Sequence, residues 1–364
     1  MKFACLKENL KRCISVVERF TGKNINLPIL NNILVTTKDS SLVFSTTNLE
    51  IGCEVSMPCK VLKDGSTTIP ARIFSQVIQS LDGEKVSFEE KNFVLEIKTE
   101  DSSVKINGIS PKEFPIIPRI KKVSNSFFVN ERDLAEAVNS VLSSVSSSEI
   151  KPEISGVYFS ISGNILKVVG TDTFRLAEKK VRLAKKEESV SFILPRNAAF
   201  EICRFDGDEE VGVNTCDNQI EFNLENIFLI SRLVEGRFPD YEGIIPKSFE
   251  TKFEVKKDEL IKKIRASSAL SSKLNDITFK IDSNFLKITT SNPEVGDYTS
   301  SIELSSKPSP AVVSFNYKYL LDGLESINDE YISFQINGET NPALIMGKND
   351  TDFIYIIMPI KNNR

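Results

Sequence analysis

The chemistry open to this chain is set first by what it lacks. It has no histidine, which closes imidazole nucleophile activation and histidine metal ligation. Six cysteines, Cys5, Cys13, Cys53, Cys59, Cys203 and Cys216, are scattered without a CxxC pair. In a chain this long, that pattern predicts reduced thiols in a cytosolic protein, with no metal site and no cofactor. Carboxylates remain. Gly170-Thr171-Asp172-Thr173 superficially resembles an aspartyl-phosphate nucleophile turn. No second aspartate follows two residues on, and no glycine-rich phosphate loop accompanies it. Cations are the remaining resource. Lys7, Lys11, Arg12 and Arg19 cluster near the start, and Lys256, Lys257, Lys262, Lys263 and Arg265 cluster later. Such groups can touch a phosphate backbone without reading sequence, in a salt-sensitive way. A solvated helix face has the same composition. The formal net charge of −4 gives no monopole attraction for a polyanion.

These cations need elements to hold them. Leu6, Leu10, Cys13, Ile14 and Val17 recur at helical spacing, as do Leu134, Val138, Val141, Leu142 and Val145, and again Leu260, Ile261 and Ile264. Each helix follows a short strand, and Phe3, Phe128 and Phe253 in those strands stand 125 residues apart. A second strand-to-helix signal follows in each unit, at Thr68-Ile69-Pro70-Ala71, Ile193-Leu194-Pro195-Arg196 and Val313-Ser314-Phe315-Asn316. The prolines suit a helix's first turn. The remaining apolar runs alternate as half-buried strands do. The Pro-rich stretches at Glu113–Pro118 and Gly236–Tyr241 read as domain edges.

At 364 residues the chain exceeds one compact core. We expect an α+β fold of three tandem domains over 1–121, 122–247 and 248–364, each with two helices packed on antiparallel sheets. A tandem duplication that forms no closed assembly fits the repeat equally. No apolar run approaches the roughly 18–20 residues of a membrane span, and the charged N-terminus has no signal-peptide pattern. The expected location is cytoplasmic.

Four stretches resemble the bacterial beta sliding clamp family, the beta subunit of DNA polymerase III. They are Leu27-Pro28-Ile29-Leu30-Asn31-Asn32 with Thr47-Asn48-Leu49-Glu50, then Gly170-Thr171-Asp172-Thr173-Phe174-Arg175-Leu176, then Ser231-Arg232-Leu233-Val234-Glu235-Gly236-Arg237-Phe238-Pro239-Asp240-Tyr241, and Tyr355-Ile356-Ile357-Met358-Pro359-Ile360. The resemblance implies a non-catalytic processivity factor of DNA replication: three clamp domains that close head to tail with a second copy into a ring. That homodimer encircles and slides on duplex DNA without sequence specificity. The implied partners are the polymerase III alpha subunit, the clamp loader, and other polymerases and repair proteins carrying clamp-binding motifs. They dock in a cleft between domains 2 and 3. The matching cleft positions are Ile154, Thr171, Thr173, Phe174, Arg175, Leu176, Pro239, Ile244, Asn316, Tyr319, Pro342, Ile356, Met358, Pro359 and Ile360. For DNA the resemblance points to Lys23, Asn24, Arg196, Asn197 and Arg204, and the basic helix faces add Arg72, Lys256 and Lys263. For the dimer the implied contacts are Val104, Lys105 and Ile106 against Ala269 and Leu270. The chain departs from the family pattern at Thr173 and Phe174, where well-known members carry glycine and histidine, and at Glu242-Gly243, where they carry a basic pair. The rival reading is a peptide-binding scaffold that never encloses DNA.

Overall fold

The computed structural model describes residues 1–22, 26–38, 40–148 and 150–361. Lys23 and Asn24 therefore lie outside the described residues. The chain gathers into two compact units, Met1–Phe128 with Glu209–Leu233, and Val129–Asp208 with Val234–Arg364.

Among the described residues are six α-helices: α1 (Lys7–Val17), α2 (Ala71–Ser80), α3 (Glu131–Leu142), α4 (Arg196–Ile202), α5 (Lys257–Ser268) and α6 (Tyr317–Glu325). Leu10, Cys13, Ile14 and Val17 are inward on α1 and Leu134, Val138 and Val141 inward on α3, as their spacing predicts; Leu6, expected on the same face, ends the preceding strand instead and is 49% exposed. On α5 the stripe is thinner, since Leu260 and Ile264 are buried while Ile261 is only half-buried. Pro70 and Pro195 sit one residue before α2 and α4 rather than inside them. Asn316 takes that position before α6, where its side chain accepts the Lys318 amide at 3.0 Å. A polar cap replaces the fixed proline backbone there.

The repeat is real, but its step is not uniform. Helices α1, α3 and α5 open at Lys7, Glu131 and Lys257, steps of 124 and 126. The inward phenylalanines are accordingly Phe3, Phe127 and Phe253, at 1%, 3% and 2% exposure, whereas Phe128 is 53% exposed. The even spacing through Phe128 picks the wrong neighbour, because one residue along a strand turns a side chain to the opposite face. Phe3 stacks on Phe88 with centroids 4.5 Å apart, and Phe253 stacks on Phe334 at 5.4 Å.

The first unit holds a five-stranded sheet, ordered Lys60–Lys63, Lys2–Leu6, Lys85–Lys91, Val94–Lys98 and Ser103–Asn107. It also holds an eight-stranded sheet, ordered Asn125–Asn130, Glu210–Thr215, Gln219–Asn223, Ile227–Arg232, Ile51–Pro58, Ser41–Thr47, Asn32–Lys38 and Ser66–Pro70. In the second unit, a six-stranded sheet runs Gly156–Thr171, Arg175–Pro195, Phe353–Ile357, Ala343–Gly347, Tyr331–Ile336 and Thr251–Lys256. Its four-stranded sheet runs Gly296–Glu303, Phe285–Asn292, Asp276–Ile281 and Ala311–Asn316.

Two joints between repeats are made alike. Ile227–Arg232 pairs antiparallel with Ile51–Pro58, setting Leu229 opposite Cys53. Phe353–Ile357 pairs antiparallel with the start of Arg175–Pro195, setting Tyr355 opposite Ala177. All four of these side chains are fully buried. The corresponding strands of the first and third repeats, Ser103–Asn107 and Gly296–Glu303, each pair on one side only among the described residues. No helix among the described residues is long and apolar enough to cross a membrane.

Candidate peptide cleft and charged surfaces

The cleft is built within the second unit, on the turn between Gly156–Thr171 and Arg175–Pro195. Gly170 is required beneath it: a Cβ there would lie 2.5 Å from the Val141 carbonyl of α3. Asp172 closes the turn by accepting the Phe174 and Arg175 amides at 3.0 and 3.1 Å. Thr171 Oγ1 donates to the Arg175 carbonyl at 2.7 Å. Thr173 is held at φ +77°, a conformation that a β-branched side chain resists.

Arg175 lies beneath this turn, its side chain 9% exposed. Its Nε donates to Asp172 Oδ2 at 3.0 Å, and its Nη atoms donate to Asp322 and to the Ser143 carbonyl. Its guanidinium stands 4.2 Å over the Tyr319 ring. Burial works against its charge, but the Tyr355 hydroxyl and the Asp322 and Asp172 carboxylates outweigh that and raise its pKa. Arg175, one of the expected cleft positions, is thus engaged inside the protein, tying the turn to α6. Asn316, the other expected peptide contact, caps α6.

Two apolar features result. An open depression of about 350 Å³ is lined by Phe174, Leu274, Asn316, Tyr319, Met358, Pro359, Ile360 and Lys361. Its floor is fixed by backbone bonds from the Met358 amide to the Phe174 carbonyl and from the Ile360 amide to the Ser314 carbonyl, both 2.8 Å. Phe174 is 59% exposed, with its ring 6.4 Å from that of Tyr319. The second feature is a buried cluster of Ile154, Val169, Leu176, Ile193, Phe238, Tyr241, Leu344 and Ile356. Tyr158 stacks on Phe238 at 4.5 Å, and the buried Tyr241 hydroxyl donates to Glu178. Here the proline-rich domain edge is an anchored segment, because Phe238 and Tyr241 hold it in a core. Phe114 does the same in the first unit, beside Ile29 and Leu30.

Of the expected cleft residues, Phe174, Asn316, Tyr319, Met358, Pro359 and Ile360 come together in the depression, and Ile154, Leu176 and Ile356 in the cluster. Thr171, Thr173 and Arg175 build the turn. Pro239 and Ile244 are exposed and Pro342 is half-buried. Glu242, where a basic residue is expected, pairs with Lys167, which holds its carboxyl below the usual range. Leu274, Lys361 and Asp322 join the site beyond the sequence expectation. Asp322 was legible, since it lies three residues after Tyr319 on one helix face. Leu274 lies in a loop with no periodicity to mark it.

The expected DNA contacts are more self-compensated than their sequence suggests. Lys256 pairs with Glu330 at 3.1 Å, which raises its pKa, and Lys263 pairs with Glu259 at 3.6 Å. Arg204 reaches Glu201 at 3.8 Å and lies 4.9 Å over the Phe200 ring. Arg196 is half-buried and donates to the Val145 carbonyl, while Arg72 and Asn197 are exposed. Two lysines counted on basic faces serve inside the repeat: Lys7 Nζ donates to the Leu81 carbonyl at 2.8 Å and Lys257 Nζ to the Ile327 carbonyl at 2.7 Å. Each fastens its helix to the chain leaving the next helix. Among the expected interface residues, Val104 and Leu270 are half-buried, Lys105 and Ala269 are exposed, and Ile106 is buried in its own sheet.

The chain matches the DNA polymerase III beta subunit family in three consecutive stretches. Residues 1–118 match its N-terminal domain, 128–240 its central domain and 242–361 its C-terminal domain. It is 26% identical to the beta sliding clamps of Staphylococcus epidermidis and Staphylococcus aureus over 349 residues, covering 92% of each chain. The crystal structure of a DNA polymerase sliding clamp from Bacillus subtilis superposes with a TM-score of 0.95 at 25% identity, over 100% of this chain and 99% of that one. A Pseudomonas aeruginosa sliding clamp bound to griselimycin has the same fold, with a TM-score of 0.96 at 23% identity and 99% of both chains covered.

Proposed function

The chain belongs to the DNA polymerase III beta subunit family, the sliding clamps, which are non-catalytic, and on that premise we propose that two copies close head to tail into a ring around duplex DNA. The observation that carries this is the pair of like joints. The first and second repeats join by one antiparallel pairing, and the second and third by its equivalent. The edges that would make the third joint, Ser103–Asn107 and Gly296–Glu303, are both left open among the described residues. An open strand edge presents unpaired backbone groups that can template pairing with another chain. A second copy that repeats the same joint twice closes the assembly instead of extending it. Val104, Lys105 and Ile106 would then meet Ala269 and Leu270 of the other copy, and domain boundaries fall near 122 and 248.

Enclosure explains why weak, partly compensated cations suffice. A trapped duplex does not leave by dissociation, so Arg72, Arg196, Asn197, Arg204, Lys256 and Lys263 need only brief phosphate contacts. Base-specific contacts would arrest sliding. The depression at Met358 serves the partners: the polymerase III alpha subunit, the clamp loader, and other polymerases and repair proteins with short apolar motifs. Two apolar anchors at about 1.5–3 kcal/mol each, with a few hydrogen bonds, approach the roughly −8 kcal/mol of a micromolar, exchangeable complex.

The test is retention on DNA after loading. The protein should stay on a nicked circle and run off once the circle is linearised; retention on the linear product would contradict encirclement. Met358→Ala with Pro359→Ala should weaken binding of a motif peptide in a fluorescence titration about tenfold or more, while the dimer persists. Unchanged affinity would remove the depression from the docking role.

A further inference from the structure

The sheet that carries the first open edge also carries a feature the clamp reading does not use. Strand Lys2–Leu6 pairs antiparallel with Lys60–Lys63, with Phe3 opposite Val61 and Ala4 opposite Lys60. The paired residues end at Lys60, and carrying the register one step further brings Cys5 opposite Cys59, the residue just before that strand, whose charge is felt at Cys5. Lys60 and Leu62 are exposed while Val61 is half-buried, so alternation turns Cys59 toward the face that Phe3 and Cys5 share. Directly opposed residues of an antiparallel pair have Cα atoms about 4.5–5.5 Å apart, within the roughly 4.4–6.8 Å that a disulfide spans. Both thiols are free in the resting protein. Cys5 is buried and Cys59 half-buried, so only the second is open to solvent.

We propose that Cys5 and Cys59 form a peroxide-responsive dithiol, which closes a disulfide between the N-terminal strand and Lys60–Lys63 under sustained oxidation. The Cys59 thiolate attacks one oxygen of hydrogen peroxide, the O–O bond breaks, and hydroxide leaves as water after taking a proton. Cys59 is then a sulfenic acid. The Cys5 sulfur attacks that sulfur, the S–S bond forms, the S–O bond breaks, and a second water departs with the Cys5 proton. Two thiols lose two electrons, and one peroxide is reduced to two waters. Burial raises the Cys59 pKa and pushes the Cys5 thiol up to about 12, with charge on Cys59 and Cys13 pushing Cys5 in the same direction. Thiolate is therefore scarce at neutral pH. Oxidation would lock the outer strand onto the sheet that ends in Ser103–Asn107.

The experiment uses the full chain, treated with hydrogen peroxide, denatured, alkylated and cut with trypsin. Cys5 leaves in the peptide Phe3–Lys7 and Cys13 in Cys13–Arg19, while Cys59 shares the peptide spanning 39–60 with Cys53. The expected product links Phe3–Lys7 to the 39–60 peptide, with fragment ions assigning the bond to Cys59. Dithiothreitol should release it, and Cys59→Ser should lack it. The unfolding midpoint of the oxidised wild type should rise by several degrees, with no rise in Cys59→Ser. Sulfenic or sulfinic acid on Cys59 with Cys5 still alkylated would overturn the proposal. So would a link from Cys5 to Cys13 or Cys53, or thiols left unoxidised throughout.

Discussion

Thr173 carries a β-branched side chain at φ +77° on the rim of the cleft. The left-handed region costs an L-residue roughly 1–2 kcal/mol, and glycine relieves it at an entropic cost of about 0.5–1 kcal/mol. Thr173→Gly should therefore raise stability by about 0.5–1 kcal/mol in urea titration. The turn has its own restraints in the Asp172 and Thr171 hydrogen bonds, so its shape should survive. A loss of stability would mean that the threonine side chain itself holds the turn. The motif Gly170–Leu176 was legible as a unit in the sequence, but the task of Arg175 was not. A lone arginine beside an apolar strand suggests a ligand contact. Only the fold brings Asp322, the Ser143 carbonyl and the Tyr319 ring around it, and those partners lie far away in sequence. The same holds for Lys256, whose neutralising Glu330 is distant in the chain. Lys263 differs, because its partner Glu259 stands at i,i+4 on the same helix and was readable.

Helices explain which parts of the fold could be read early. A period near 3.6 fixes a helix face over several turns, so the buried sets of α1 and α3 follow from their sequences. A strand gives less protection against a slip: equal spacing points to Phe128, while the buried residue is Phe127. A constant step does not hold, because a residue gained or lost between elements resets the register. Helix α6 holds a detail that propensity alone gets backwards. Gly323 sits mid-helix, where alanine would gain about 1 kcal/mol. A Cβ there would stand 2.5 Å from the Tyr355 ring, which is fully buried and donates its hydroxyl to the Tyr319 carbonyl at 2.8 Å. Overpacking costs about 1–3 kcal/mol, so Gly323→Ala should be net destabilising by up to about 2 kcal/mol in denaturant titration. It should also weaken peptide binding, because displacing Tyr355 moves Tyr319 at the cleft floor. A stabilised variant would show that the helix shifts freely over the strand.

At the scale of the whole molecule, the proposed ring requires each open edge to meet a second copy. The two internal joints are apolar and fully buried at their centres, with Cys53 and Leu229 in one and Ala177 and Tyr355 in the other. The open edges are poorer in such residues. Ser103, Lys105 and Asn107 are exposed on one, and Asp297, Thr299, Ser301 and Glu303 on the other. A joint built from them should be weaker than the internal pair and able to open, as the proposed loading onto circular DNA requires. It should depend heavily on its few apolar members, the half-buried Val104 and Leu270. Val104→Glu combined with Leu270→Glu places uncompensated charge at that contact, and burying an unpaired carboxylate costs several kcal/mol. In sedimentation velocity the wild type should run as a dimer and the double variant as a monomer, with the monomer losing retention on a nicked circle. Peptide affinity should be unchanged, because every residue lining the depression belongs to one unit of one chain. A double variant that still dimerises would refute the third joint. A monomeric variant that also loses peptide binding would mean the cleft and the open edges are coupled, and the two sites could no longer be treated as independent.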